Sequence, residues 1–143
     1  MVTPVRSLDD FFPTYLRLLE AGDAVGLGDL YTEHAVLTSF GGPQGTSWSV
    51  GRTEIVAGLA AALADYRVLS ETPSTAAWDV RGGVRAARLG TFTSTIEPRA
   101  GGDRVVMTVQ AFEVLELSPT AGWQYLSDAS QVLTVTTNRG RPT

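Results

Sequence analysis

The stretch VVMTVQAFEVLEL (105–117), together with WQYLSDASQVLTV (123–135), decides the fold. Both segments are rich in the valine, threonine and aromatic residues that favour β-strands, and the SPTAG segment between them (118–122) is typical of a turn. Two more strand candidates, Val68–Val80 and Val84–Ile96, precede them and are likewise separated by glycine-containing turns. The second half of the chain is therefore predicted to be a meander of antiparallel hairpins.

The first half of the chain follows a helical period instead. Since Pro13 is tolerated only in the first turn of a helix, we expect helix 1 to begin near residues 10–12 and to end before Gly22 as its C′ residue. Asp23 is a good N-cap for a second helix reaching about Tyr31. We predict that the rest of this half is a short strand, a loop and a third helix: Ala35–Phe40, 41–51 and Arg52–Tyr66.

Helices followed by strands indicate an α+β fold, in which three N-terminal helices pack on one face of a curved antiparallel sheet. At 143 residues the chain is expected to be a single domain. Its core is predicted to cover about residues 8–135, and residues 136–143 are predicted to be a frayed tail.

The composition removes several chemistries. All 11 basic residues are arginine, there is no cysteine, and His34 is the only histidine. Schiff-base lysines, thiol nucleophiles and zinc ribbons are thereby excluded, so acid–base work falls mostly to Asp, Glu and Tyr. The net charge of −4 gives no reason to expect nucleic acid. The longest apolar run has ten residues, too few for a bilayer span of about 20.

The sequence resembles the nuclear transport factor 2-like superfamily, and within it the SnoaL-like branch. The resemblance rests on YLRLLEAGD (15–23), LYTEHAVL (30–37), GRTEI (51–55) and GWQYLSDAS (122–130). It implies a cone-shaped α+β barrel around a pocket. It leaves the function open, because these relatives include polyketide cyclases, ketosteroid isomerases, limonene epoxide hydrolases and non-catalytic binders.

Asp128 is the first catalytic candidate. An aspartate is unusual in a strand, and a carboxyl group facing an apolar pocket could act as acid or base near neutral pH. The resemblance to limonene epoxide hydrolases implies a catalytic Asp at this position. Those enzymes also need an Arg-x-Asp on an earlier strand, and here Val84–Leu89 supplies arginines but no second aspartate. The alternative is that Asp128 faces solvent or pairs with Arg88.

Tyr15 and Gln110 are the other catalytic candidates. The spacing of Tyr15 to the AGD motif resembles that of the oxyanion-hole tyrosine in ketosteroid isomerases, although a core aromatic residue is an equally good interpretation. At the position of the catalytic base of the isomerases this sequence has Ser39, and at the position of their protonated Asp it has Gln110. The amide of Gln110 could still donate a hydrogen bond. Strand alternation predicts that Gln110, Phe112 and Asp128 face inward. We expect substrate contacts from these side chains: Phe112, Trp48, Phe92, Tyr125 and Arg88.

Together with the candidate residues, the resemblance implies a cofactor-independent, metal-free acid–base enzyme, namely a cyclase, isomerase or hydrolase. Its expected substrate is a hydrophobic oxygenated metabolite, such as one of polyketide type. A non-catalytic carrier of small molecules is the alternative. We expect a cytoplasmic homodimer that pairs through the outer face of the sheet and binds neither nucleic acid nor membranes.

Overall fold

The computed structural model describes residues 2–41, 45–73 and 77–138. These residues form three α-helices and seven strands, preceded by the 3-10 turn Leu8–Asp10. The helices are α1 Phe11–Glu20, α2 Ala24–Gly28 and α3 Arg52–Asp65. The strands are β1 Tyr31–Phe40, β2 Ser47–Val50, β3 Tyr66–Pro73, β4 Asp79–Arg81, β5 Arg85–Pro98, β6 Arg104–Ser118 and β7 Gly122–Asn138. None of the described helices is both long and apolar enough to cross a membrane.

The α+β prediction is confirmed, with one correction to the sheet. The strands run in the order β2-β1-β7-β6-β5-β3, and β4 pairs with β5. β1 and β7 are parallel, so the curved sheet is mixed rather than antiparallel throughout. This pairing joins the first and last strands, which a pattern of consecutive hairpins does not predict.

The predicted helix boundaries are confirmed at the junction of α1 and α2. Gly22 has a φ of 69°, and the N–H of Asp23 donates to the carbonyl of Leu18 at 2.9 Å, as in a Schellman cap. The Asp23 side chain in turn accepts from the N–H of Gly26 at 2.8 Å.

Three other boundaries differ from the prediction. β1 begins at Tyr31, which was expected to end the second helix, and β2 lies in the segment that was expected to be a loop. β7 reaches Asn138, because Thr136 and Thr137 continue the ladder with Val106 and Val105. Residues 139–143 of the expected tail lie outside the described residues.

The core lies between the helices and the concave face of the sheet. Its largest fully buried side chains come from both layers: Tyr31, Tyr125, Phe11, Leu27, Ile55 and Leu115.

The alternation of inward and outward side chains along β7 is interrupted at Leu126. The register passes from Leu115↔Tyr125 to Val114↔Ser127, so Leu126 is an extra residue, a β-bulge.

Candidate active site

A cavity of about 650 Å³ opens between the helices and the concave face of the sheet. Its wall is mostly apolar, and α1, α3 and six of the seven strands contribute to it. The predicted site residues that line it are Tyr15, Phe92, Tyr125 and Asp128. This size and lining suit a small hydrophobic molecule.

The prediction that Gln110 and Phe112 on β6 face inward is wrong. The cavity is lined by Met107, Val109, Ala111 and Glu113, so Gln110 and Phe112 lie on the opposite face of the strand. The register explains this, because Asp128 is opposite Glu113, whereas Phe112 is opposite Ala129. Phe112 is 50% exposed.

Two other predicted contact residues also lie away from the cavity wall. Trp48 is 72% exposed, and its neighbours Ser47 and Ser49 line the cavity instead, as strand alternation requires. Arg88 is buried but is not among the lining residues. Its guanidinium stacks 4.2 Å from the ring of Trp78 and binds Glu113.

Three charged side chains form one row across three strands. Arg88 on β5 is opposite Glu113 on β6, which is opposite Asp128 on β7. We call Arg88, Glu113 and Asp128 the charged row. All three are at least 92% buried. Burying three ionisable groups together is costly unless each is paired or hydrogen-bonded, so their partners decide the chemistry of the site.

Glu113 has partners on both carboxylate oxygens. Arg88 donates to its Oε1 from Nε at 3.1 Å and from Nη2 at 2.9 Å, and the Tyr125 hydroxyl donates to Oε2 at 2.5 Å. These charge-assisted hydrogen bonds hold the carboxylate in one position. Glu113 is therefore a fully hydrogen-bonded carboxylate directly opposite Asp128.

Asp128 has a different environment. The Tyr31 hydroxyl donates to its Oδ2 at 2.8 Å, and Oδ1 has no hydrogen-bond partner among the described residues. Burial, and after it the charge of Glu113, raise the pKa of Asp128 to about 7, while the Tyr31 hydrogen bond opposes the rise. Asp128 can therefore exchange a proton near neutral pH with a molecule in the cavity.

Tyr31 is a site residue that the sequence did not reveal. It begins β1, and its carbonyl is held by Arg52 Nη2 on α3 at 2.7 Å and by Gln124 Nε2 at 3.3 Å. Its ring packs 4.9 Å from that of Tyr125. Burial raises the pKa of Tyr31 well above its usual value, so the phenol stays neutral and donates.

Tyr15 faces the cavity from α1, with its ring centroid 6.0 Å from that of Tyr125. Burial raises its pKa well above the usual value, and the charges of Glu71, Asp128 and Glu113 add to the rise. A neutral phenol in this position can donate a hydrogen bond to an oxygen of a ligand.

Glu113 and Glu71 were also missed, although Glu113 carries the signal that identified Asp128. It is a charged residue inside a strand between Phe112 and Val114. In the segment 41–51, which was predicted to be a loop, Gly41 and Gly45 line the cavity, and residues 42–44 lie outside the described residues. Among the described residues, no group of three His, Asp or Glu side chains is arranged to hold a metal ion.

Comparison with known proteins identifies the fold. No protein-family model matches the chain, and no curated protein matches it. It is similar in structure to a ketosteroid isomerase-like protein from Erwinia carotovora atroseptica, with a TM-score of 0.74 and 17% identity over 89% of this chain and 94% of that one.

Two more solved structures have a similar fold. A hexachlorocyclohexane dehydrochlorinase from Novosphingobium barchaimii has a TM-score of 0.73 and 10% identity, covering 94% of this chain and 89% of its own. An NTF2-like protein with a cystatin-like fold from Novosphingobium aromaticivorans has a TM-score of 0.64 and 18% identity, covering 87% and 78%. The chain therefore has the NTF2-like fold, as its sequence predicts.

Proposed function

We propose that the protein is a cofactor-independent acid–base enzyme acting on a hydrophobic oxygenated metabolite bound in the cavity. One observation carries this proposal. Asp128 is buried at the cavity wall with one oxygen held by Tyr31 and the other free to reach a ligand. Two neighbouring carboxyl groups in different environments are a common arrangement for proton transfer, because one stays ionised while the other titrates near neutrality.

In the proposed reaction Asp128 removes a proton from the substrate, or from water, and returns it later in the cycle. Tyr15 donates a hydrogen bond to the oxygen on which negative charge develops. Gln110 has no part in this scheme, since it lies on the outer face. Burial, together with the charge of Glu113, raises the pKa of Asp128 to about 7, so its carboxyl group is partly protonated near neutral pH.

The geometry of the charged row distinguishes epoxide hydrolysis from the other candidate reactions. It supplies a second carboxylate and an arginine, which the epoxide hydrolase pattern also needs. However, Arg88 contacts Glu113 at the end of the row rather than lying between the two carboxylates. The relay of those enzymes is not reproduced, so isomerisation or cyclisation through an enolate is the favoured form of the proposal.

Hydrogen–deuterium exchange tests the proposal without knowledge of the substrate. The probe is 2-tetralone, a bicyclic ketone, whose exchange of α-protons in D₂O is followed by proton NMR. Wild-type protein should accelerate the exchange, and Asp128→Asn should slow it by roughly 10²–10⁴-fold, the usual contribution of a general base. Asp65→Asn, at the exposed rim of the cavity, is the control for a lost charge. Exchange in Asp128→Asn within a few-fold of wild type would refute the role of Asp128.

A non-catalytic carrier of the same fold is the second candidate, favoured by the mostly apolar wall of the cavity. It predicts that the ketone binds in the cavity with no exchange above the buffer rate. Binding measured by calorimetry alongside the exchange assay therefore separates the two candidates.

We also propose that the protein forms a homodimer through the convex face of the sheet. Leu89, Phe112 and Trp48, each at least 50% exposed, lie on one row across this face, linked through Ala129 and Thr38. An exposed apolar row of this kind is typical of an interface. Sedimentation should show a dimer that Phe112→Glu dissociates. Val25→Glu, which changes an exposed apolar residue on α2 instead, should leave the dimer intact.

A further inference from the structure

The ionisable groups lining the cavity are strongly biased in charge. Besides tyrosines, those among the described lining residues are four carboxyl groups, from Asp65, Glu71, Glu113 and Asp128. None of the described lining residues is Arg or His, and the chain contains no lysine. Arg88 is close to the cavity, but its charge is matched by Glu113 at 2.9 Å. The cavity therefore carries excess negative charge whenever its carboxyl groups are ionised.

Glu71 differs from the two carboxylates of the charged row. It lies on β3 opposite Ser94 and lines the cavity, yet none of the described residues forms a hydrogen bond or an ion pair with it. The groups that interact electrostatically with Glu71 include Glu113 and Tyr15, and neither carries a positive charge. Glu113 adds to the effect of burial in raising the pKa of Glu71 to about 7, and the Glu71 charge raises the pKa of Tyr15.

An unpaired carboxyl group against the mostly apolar wall of the cavity is unfavourable for the protein alone. The cost is relieved if a ligand brings a positive charge or a strong donor to it. A protonated amine does both, since a charge-assisted hydrogen bond to a carboxylate is about twice as strong as one between neutral groups. A ligand carboxylate or phosphate would instead be repelled by every ionised carboxyl group of the wall.

We infer that Glu71 forms an anionic subsite for a basic nitrogen, and that the molecule bound in the cavity is a hydrophobic amine whose oxygen function lies toward Asp128. This assignment deepens the proposed function and rests on the cavity being its ligand site. Binding through Glu71 does not require turnover, so the two can be tested separately.

Three probes with one ring system test the subsite: 2-(aminomethyl)naphthalene, 2-naphthalenemethanol and 2-naphthoate. Their dissociation constants are measured by calorimetry at about pH 8, where the amine is protonated and Glu71 is largely ionised. In wild-type protein the amine should bind on the order of tenfold more tightly than the alcohol, and the naphthoate should bind most weakly. Glu71→Gln should bring the amine and the alcohol within about twofold of each other while leaving the alcohol affinity unchanged.

Asp65→Asn is the matched control, because it removes the same charge from an exposed position at the rim. It should keep most of the preference for the amine. The inference is overturned if wild-type protein binds the amine no more tightly than the alcohol, if it binds none of the probes, or if Asp65→Asn loses as much preference as Glu71→Gln.

Asp128→Asn separates this inference from the proposed function. The variant should lose ketone exchange and keep most of the amine preference. If instead it abolishes that preference while Glu71→Gln does not, the ammonium group is bound at Asp128 and the Glu71 subsite is refuted. If wild-type protein shows the amine preference but no exchange activity, the subsite stands and the catalytic proposal fails.

Discussion

Replacing Glu113 with Gln should lower the pKa of Asp128, because the Glu113 charge is the largest cause after burial of its rise to about 7. The two residues are directly opposite in register, which places their Cβ atoms about 5 Å apart. Two like charges at about 5 Å repel by about 3 kcal/mol at an effective dielectric constant of about 20. That energy corresponds to a fall of roughly two pH units in the titration midpoint of Asp128. The loss also frees the Arg88 charge, which acts in the same direction.

The assay is a pH titration of the Asp side-chain carboxyl carbons by NMR, with the Asp128 signal assigned from its loss in Asp128→Asn. Glu116→Gln is the matched control. It removes the same charge from the same strand, but Glu116 forms a surface pair with Arg85 at 3.0 Å. A fall of less than about one pH unit in Glu113→Gln, or an equal fall in Glu116→Gln, would show that the Glu113 charge does not raise the pKa of Asp128 as expected.

Three further predictions concern the same groups. Tyr31→Phe removes the hydrogen bond that holds the pKa of Asp128 down, so the NMR midpoint should rise, and a fall would contradict the assignment. Arg88→Met leaves the buried Glu113 carboxylate unpaired and should lower the free energy of unfolding by about 3–5 kcal/mol in urea melts. The double variant Arg88→Met/Glu113→Gln should recover most of the lost stability. If it does not, Arg88 stabilises the protein mainly through its contacts with aromatic rings. Burial and the Glu113 charge raise the pKa values of Asp128 and Glu71 to about 7 from ordinary values of 3.8 and 4.5. The folded state therefore binds more protons than the unfolded state between those limits. The contribution of these two groups to the free energy of unfolding should be complete below about pH 4 and be lost as pH rises through about 7. Wild type should therefore lose more stability over this pH window than the double variant Asp128→Asn/Glu71→Gln. An equal dependence of the unfolding free energy on pH in the two proteins would refute the pKa shifts.

The helices could be predicted because their signals are local. Pro13 is compatible only with a first turn, Gly22 adopts the left-handed conformation that ends α1, and the Asp23 side chain caps α2. Each signal involves atoms within a few residues of one another. The sequence alone is therefore enough to place these boundaries to within a residue or two.

The face of β6 could not be predicted in the same way, because apolar residues occur on both of its faces. Met107, Val109 and Ala111 alternate with Phe112 and Val114, so neither face is clearly the inner one. A charged residue such as Glu113 is typical of an outer face. Its burial depends on Arg88, which is 25 residues away in the chain, and that partner becomes visible only in the register of β5 and β6.

The position of Asp128 depends on the bulge at Leu126. In a regular strand, residues three apart point to opposite faces, so Tyr125 and Asp128 could not both line the cavity. The extra residue returns them to one face, where Tyr125 reaches Glu113 and Asp128 lies opposite it. No glycine marks the bulge in the sequence. Tyr125 and Asp128 are three residues apart, and in a regular strand this spacing would place them on opposite faces. The pairing of a fixed carboxylate with a titrating one is thus a consequence of register.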